Sequence, residues 1–220
     1  RALCATGGLP SAALSQPREV AALDPDDLLR AMSEYLAALD AFTVEIEADT
    51  DYVDLDGRIV TVTGGGHIAI LRPDRLYVTR QDYHADVAFV FDGTDLTLYR
   101  RDAQAYATAQ GPETVDAAID YVRSVWGIDA SGADLLYSDV HGGLVTELRS
   151  SSYLGVTLVS GVPAHHLAFR ARDVDWQIWI ATGDAPVPLR YTIASKWIAG
   201  APVFEIRLRD WDVTPEIDPA

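Results

Sequence analysis

"HHLAFRARDVDWQIWIATG", residues 165–183, puts two adjacent histidines, three aromatics, two aspartates and two arginines into nineteen positions. Such a stretch is either a reactive site or two strands of a sheet. Applying the two-residue period of a strand sends His165, Leu167 and Phe169 to one face and His166, Ala168 and Arg170 to the other. The two imidazoles of a regular strand then cannot share a metal, and no further histidine or carboxylate is suitably spaced to complete a site. After a turn near Arg172 and Asp173, Trp176, Ile178 and Ile180 fall on one face and Asp175, Gln177 and Trp179 on the other. The stretch reads as a hairpin with one apolar and one mixed face. The competing reading is a hydrolase site, in which a bulge brings His165 or His166 to Asp173 or Asp175. It requires Asp173, Asp175 and His166 within hydrogen-bonding reach beside a pocket.

The same period extends to both sides. "LVTELRS", "YLGVTLVSG", "LRYTIASKW" and "VFEIRLRDW" are strand-like, the last placing Phe204, Ile206 and Leu208 opposite Glu205, Arg207 and Arg209. Upstream, Phe42, Val44 and Ile46 alternate with Thr43, Glu45 and Glu47. Further strands follow in "YVDLDGRIVTV", "HIAILRP", "RLYVTRQ" and "ADVAFVFDGTDLTLYRR", with hairpin turns signalled at Asp56-Gly57 and Asp92-Gly93. "TGGGH" (residues 63–67) and "HGG" (141–143) read as turns or bulges, and neither carries the Lys-Ser/Thr of a phosphate loop.

Two helices interrupt the strands. In "LDPDDLLRAMSEYLAALDAF", Asp24 suits an N-cap and Pro25 the first turn, and Leu28, Leu29, Met32, Tyr35, Leu36 and Leu39 share a face. A second helix is expected over Pro112–Trp126, and "GADLLYSD" adds a short helical turn.

Composition narrows the partners. The 220 residues carry a formal net charge of −16, with 17 Lys and Arg against 33 Asp and Glu. That balance argues against nucleic acid and against electrostatic docking on anionic lipid. Cys4 is the sole cysteine, so neither an intramolecular disulfide nor a cysteine zinc site is available. No apolar run is long enough to span a membrane. Residues 1–15 are expected to be a signal-peptide remnant or a disordered start, with Ala13-Leu14-Ser15 fitting a cleavage site, and residues 16–220 a single domain. On that reading the protein is expected to be periplasmic or secreted. No cofactor or catalytic motif is expected.

The architecture implied is α+β: a strongly curved antiparallel sheet of about 11–12 strands, its concave side covered by the two helices. Trp176, Ile178, Ile180, Leu189, Tyr191, Ile193, Phe204, Ile206 and Leu208 are expected on that concave face, with Leu28, Met32, Tyr35 and Leu36 of the first helix opposite. A sheet too wide to be filled leaves an apolar cavity there, suited to a lipid or acyl chain. A filled core serves the same pattern equally well. Arg72 and Arg75 are the candidate contacts for an anionic head group.

"LLRAMSEYLAALDAF", "RPDRLYV", "FDGTDLTLY", "YLGVTLVSGVPAHHLAFRARDVDWQIWI" and "PVPLRY", in this order, resemble a bacterial family of predicted periplasmic proteins of unknown function. The resemblance spans roughly Pro25–Trp211. It implies a relative of the lipoprotein-carrier fold of LolA and LppX, an unclosed β-barrel plugged by helices that carries or senses acylated ligands. The family pattern continues with a Phe- and Pro-containing segment after the last strand, so a closing strand is expected to be missing here. Release of a ligand would require the N-terminal helix to lift. A structural module presenting its sheet to another envelope protein is the third reading, marked by a filled core and an exposed apolar patch.

Overall fold

A computed structural model describes residues 23–217; the expectation for residues 1–15 lies outside the described residues. Helix α1 (Pro25–Ala37) starts where the sequence signals it: Asp24 accepts from the Asp26 N–H, and Pro25 occupies the first turn. Leu29, Met32 and Leu36 are fully buried. Eleven strands follow in two runs. The first comprises β1 (Ala41–Val53), β2 (Ile59–Leu71), β3 (Arg75–Gln81), β4 (Asp86–Phe91), β5 (Asp95–Arg100) and β6 (Ala105–Gln110). The second comprises β7 (Ser150–Val159), β8 (Val162–Arg170), β9 (Val174–Ala181), β10 (Pro188–Ser195) and β11 (Val203–Asp212). Between the runs lie α2 (Val115–Ser124), a 3-10 turn (Ala133–Leu136) and α3 (Val140–Leu144).

Each run is an antiparallel meander, and β1 pairs with β11 to splice the two. The order β6-β5-β4-β3-β2-β1-β11-β10-β9-β8-β7 leaves β6 and β7 as unpaired edges, so the sheet is unclosed. The connection carrying α2 and α3 crosses from one edge to the other on one face of the sheet, which the helices cover. Register fixes which side chains share that face. Across the splice Ile46 meets Leu208 and Ala48 meets Ile206, while Glu47 opposite Arg207 lies on the outer face. The outer face is polar there: Arg207 bonds Glu47 and Asp49 at 3.0 and 3.1 Å and pairs with Glu205, which also pairs with Arg190.

Several elements depart from the sequence reading. "TGGGH" is not a turn; it lies inside β2, which is one strand where the sequence pattern suggests two. Glycine is required there, because a Cβ on Gly66 would lie 1.9 Å from the Thr79 carbonyl oxygen of the neighbouring strand. β6, "AYATAQ", alternates only alanine with Tyr, Thr and Gln, too weak an apolar pattern to mark a strand in the sequence. "LVTELRS" is not a strand: Leu144 ends α3, and β7 begins at Ser150. "HGG" forms most of α3, whose start is capped by the Asp139 side chain accepting from Gly142. Helix α2 begins at Val115, later than Pro112, because Thr114 caps it by accepting from the Ala117 N–H.

Candidate functional site

The two halves of the helix-facing side are filled differently. On the β8–β10 side the sheet presents large groups. Trp176 stacks on Phe169 with centroids 4.0 Å apart and meets the edge of Tyr191 at 5.9 Å. Met32, Leu36, Leu167 and Ile178 close the remaining space. Under α2 and the loop after it, the sheet presents small groups. Ala48, Gly64 and Gly65 line a cavity of about 330 Å³, together with Ile46, Ile68, Val78, Phe89, Leu98, Phe204 and Ile206. Ile119 and Val122 of α2, Leu136 and residues 128–133 form its roof. The volume is at the lower end of small-molecule sites, about 300–1,000 Å³.

The roof is a unit held by its own polar bonds. Arg123 donates to the Ala130 carbonyl at 2.8 Å, to Asp134 at 3.0 Å and to the Tyr137 hydroxyl at 3.2 Å. The Tyr137 hydroxyl donates to Asp120 at 2.6 Å. Burial, then that bond, pushes the Tyr137 phenol up to about 12, so it stays a donor at any physiological pH. The roof is anchored to the sheet at the β2–β3 turn, where the Val115 N–H donates to the Pro73 carbonyl and Arg72 donates to the carbonyls of Leu136 and Tyr137. At the other end its loop touches the sheet at Gly132 (φ +84°), where a Cβ would lie 3.2 Å from the Phe204 ring.

In an antiparallel meander the β1–β2 and β3–β4 turns lie at one end, opposite the β2–β3 anchor. The cavity's polar lining gathers at this end: Tyr52, Arg80, Asp82, His84, Asp129 and Ser131. Asp82 shapes the rim. Its side chain, 7% exposed, accepts from the backbone N–H groups of His84 and Ala85 and pairs with Arg80 at 3.0 Å. Burial alone would raise its pKa, but the two N–H bonds and Arg80 outweigh it and hold the carboxyl below its ordinary value of 3.8. A depressed carboxyl stabilises the fold fully above the unfolded value and loses that contribution as pH falls below about 3.8. We expect Asp82→Asn to destabilise the protein in urea unfolding at pH 6, with the gap from wild type shrinking at pH 3. An equal gap at both values would contradict this role.

The sequence-derived candidates divide accordingly. Phe204 and Ile206 line the cavity. Met32, Leu36, Trp176, Ile178, Ile180, Tyr191 and Leu208 lie in the closed core, and Leu28, Tyr35 and Ile193 pack against it. Arg72 is committed to the roof's carbonyls and to Asp116 at 4.0 Å. Arg75 lies on the rim of a second, smaller depression beside Tyr77 and Asp92, away from the cavity. The hairpin histidines do take opposite faces. His165 faces the helices and bonds the Tyr153 hydroxyl at 3.0 Å; His166, on the outer face, bonds Gln177 at 2.8 Å and stacks on Trp179. Burial lowers both imidazole pKa values. Asp175 pairs with Arg170 and Lys196, and Asp173 accepts from the Trp197 indole at 2.8 Å. His166, Asp173 and Asp175 are therefore each bonded elsewhere and form no shared site.

The model of a family described as "Predicted periplasmic protein (DUF2092)" matches residues 25–220. No curated protein matches the chain. Among solved structures, the Mycobacterium tuberculosis lipoprotein LppX is similar at 12% identity and TM-score 0.50, over 88% of this chain and 97% of that one. An uncharacterised conserved protein of Thermus thermophilus is similar at 10% identity and TM-score 0.50, over 87% of this chain and 88% of that one. A LolA superfamily protein of Nitrosomonas europaea aligns at 10% identity and TM-score 0.41, over 89% of this chain and 96% of that one. The unclosed antiparallel sheet covered by helices thus shares its fold with LppX.

Proposed function

The chain belongs to this family of predicted periplasmic proteins, and on that premise we propose that it binds and carries a lipid or an acylated, lipoprotein-like ligand. The observation that carries the reading is the cavity between α2 and the sheet, apolar within and polar only at its rim. An acyl chain enters past Tyr52 and His84 and lies against Val78, Phe89 and Leu98, with its polar end left beside Arg80, Asp82 and Ser131. Its affinity comes from apolar area removed from water, about 25 cal/mol per Å² before the costs of association. No lifting of α1 is needed, since the roof over the cavity is α2 and its loop. The likeness in fold to a lipoprotein supports the reading by analogy only.

The test is titration with a fluorescent fatty-acyl probe, followed by displacement with unlabelled acyl chains of increasing length. The expected result is one saturable site. Affinity should rise about fourfold per added methylene, the equivalent of ~0.8 kcal/mol, until the cavity is full. Absence of saturable binding, or an affinity indifferent to chain length, would remove the proposal.

A further inference from the structure

Two rows of large exposed apolar side chains stand out among the described residues: one along the β7 edge (Leu154, Val156 and Leu158), the other where the cavity opens. Leu55 and Ile59 flank the β1–β2 turn, Tyr83 tips the β3–β4 turn, and Trp197 and Ile198 stand on the β10–β11 loop. Leu55 is fully exposed, Tyr83 is 89% exposed and Trp197 77%. These turns form one surface. Tyr52 and Tyr83 both meet the His84 ring, at 5.6 and 5.3 Å, and Tyr52 and His84 line the cavity. The β10–β11 loop lies on the β1–β2 turn: a Cβ on Gly200 would be 3.5 Å from Ile59, and the Val203 N–H donates to Asp51 at 3.1 Å.

The polar groups of these turns are largely spent within them. Asp54 accepts from the Asp56 and Arg58 N–H groups and from the Arg58 guanidinium. Asp82 holds its own turn, as above. Lys196 donates to the Ala171 carbonyl at 2.6 Å, and the Trp197 indole donates to Asp173. Asp56, Arg58 and His84 are exposed on the same turns, but the largest outward side chains, Leu55, Tyr83, Trp197 and Ile198, are apolar or aromatic and offer few directional bonds. A protein partner would use such bonds; a lipid surface needs only burial, and Trp and Tyr rings suit its headgroup boundary.

We propose that this end of the molecule docks on a neutral, zwitterionic lipid–water interface through Leu55, Tyr83, Trp197 and Ile198, placing the cavity mouth against the lipid. The net charge of −16 selects against anionic lipid. The docking rests on the carrier reading for its purpose, because a mouth held at the lipid surface lets an acyl chain pass without crossing water.

The experiment is flotation of the protein with phosphatidylcholine vesicles, repeated with brominated acyl chains that quench nearby tryptophan. Wild type should float, its fluorescence should be quenched, and added phosphatidylserine should weaken binding. A Trp197→Ser, Ile198→Ser double variant should lower partitioning about tenfold or more. Leu55→Ser, on a separate turn, should weaken it in the same direction. Both should keep acyl-probe affinity within about twofold, which also reports their folding. Ala48→Phe should do the reverse, losing the probe and keeping the vesicles. No flotation of wild type, as a protein partner at this surface would give, overturns the docking proposal, as does unchanged flotation of the variants. Flotation without any probe binding keeps the docking face and removes the carrier reading instead.

Discussion

Ala48→Phe is expected to abolish acyl-probe binding at working concentrations, a loss of at least about tenfold in affinity or ~1.4 kcal/mol. Ala48 stands in β1 opposite Gly64 on one side and Ile206 on the other, on the helix-facing side, and lines the cavity. A phenyl ring placed there occupies the space that the acyl chain would take. Because the ring enters a void and not a packed core, the strain of overpacking is largely avoided. The thermal midpoint should move by no more than about 4 °C, the shift that ~1 kcal/mol gives at this chain length. Unchanged probe affinity in a folded Ala48→Phe protein would place the ligand elsewhere.

Trp176→Ala should give the opposite pattern: a loss of about 3–5 kcal/mol of stability with the affinity of the folded protein retained. Trp176 is 3% exposed, stacked on Phe169 and set against Tyr191 in the packed core. Removing it leaves a hole in a part of the molecule that is closed. Urea unfolding read by circular dichroism measures the first effect, and probe titration well below the midpoint measures the second. Should the variant lose the probe while keeping its stability, the binding space would lie between α1 and the second meander, as the sequence pattern by itself suggests.

The contrast between these two positions shows what the sequence made legible. Alternation in "VFEIRLRDW" and "VDWQIWI" assigns the side chains of β9 and of β11 up to Arg209 to their faces, and Asp24-Pro25 marks the start of α1; past Arg209 a bulge at Asp210 turns Trp211 inward against Phe42, which alternation does not foresee. The separation of the hairpin histidines follows from the same alternation, since His165 and His166 are placed on opposite faces by one peptide step. Harder to see are elements lacking a hydrophobic signal. β6 is an edge strand of alanines and polar residues, and the glycines within β2 mark a close approach of strands that depends on a neighbour distant in sequence. The cavity was only partly legible: Phe204 and Ile206 line it, but periodicity names only the face a residue occupies, not whether the space above that face is filled. That depends on volume: Trp176, Tyr191 and Met32 fill their half, whereas Ala48, Gly64, Gly65 and Gly132 leave theirs open. A run of small residues facing inward, read beside the large ones, was the available signal.

Native mass spectrometry of the protein secreted into a bacterial periplasm and purified without detergent tests the account most directly. Wild type should carry a single lipid or acyl adduct that is lost on delipidation, restored by added lipid, and missing from Ala48→Phe. A wild-type protein that remains free of adduct through repeated preparations and fails to take up any acyl compound offered to it would contradict the account.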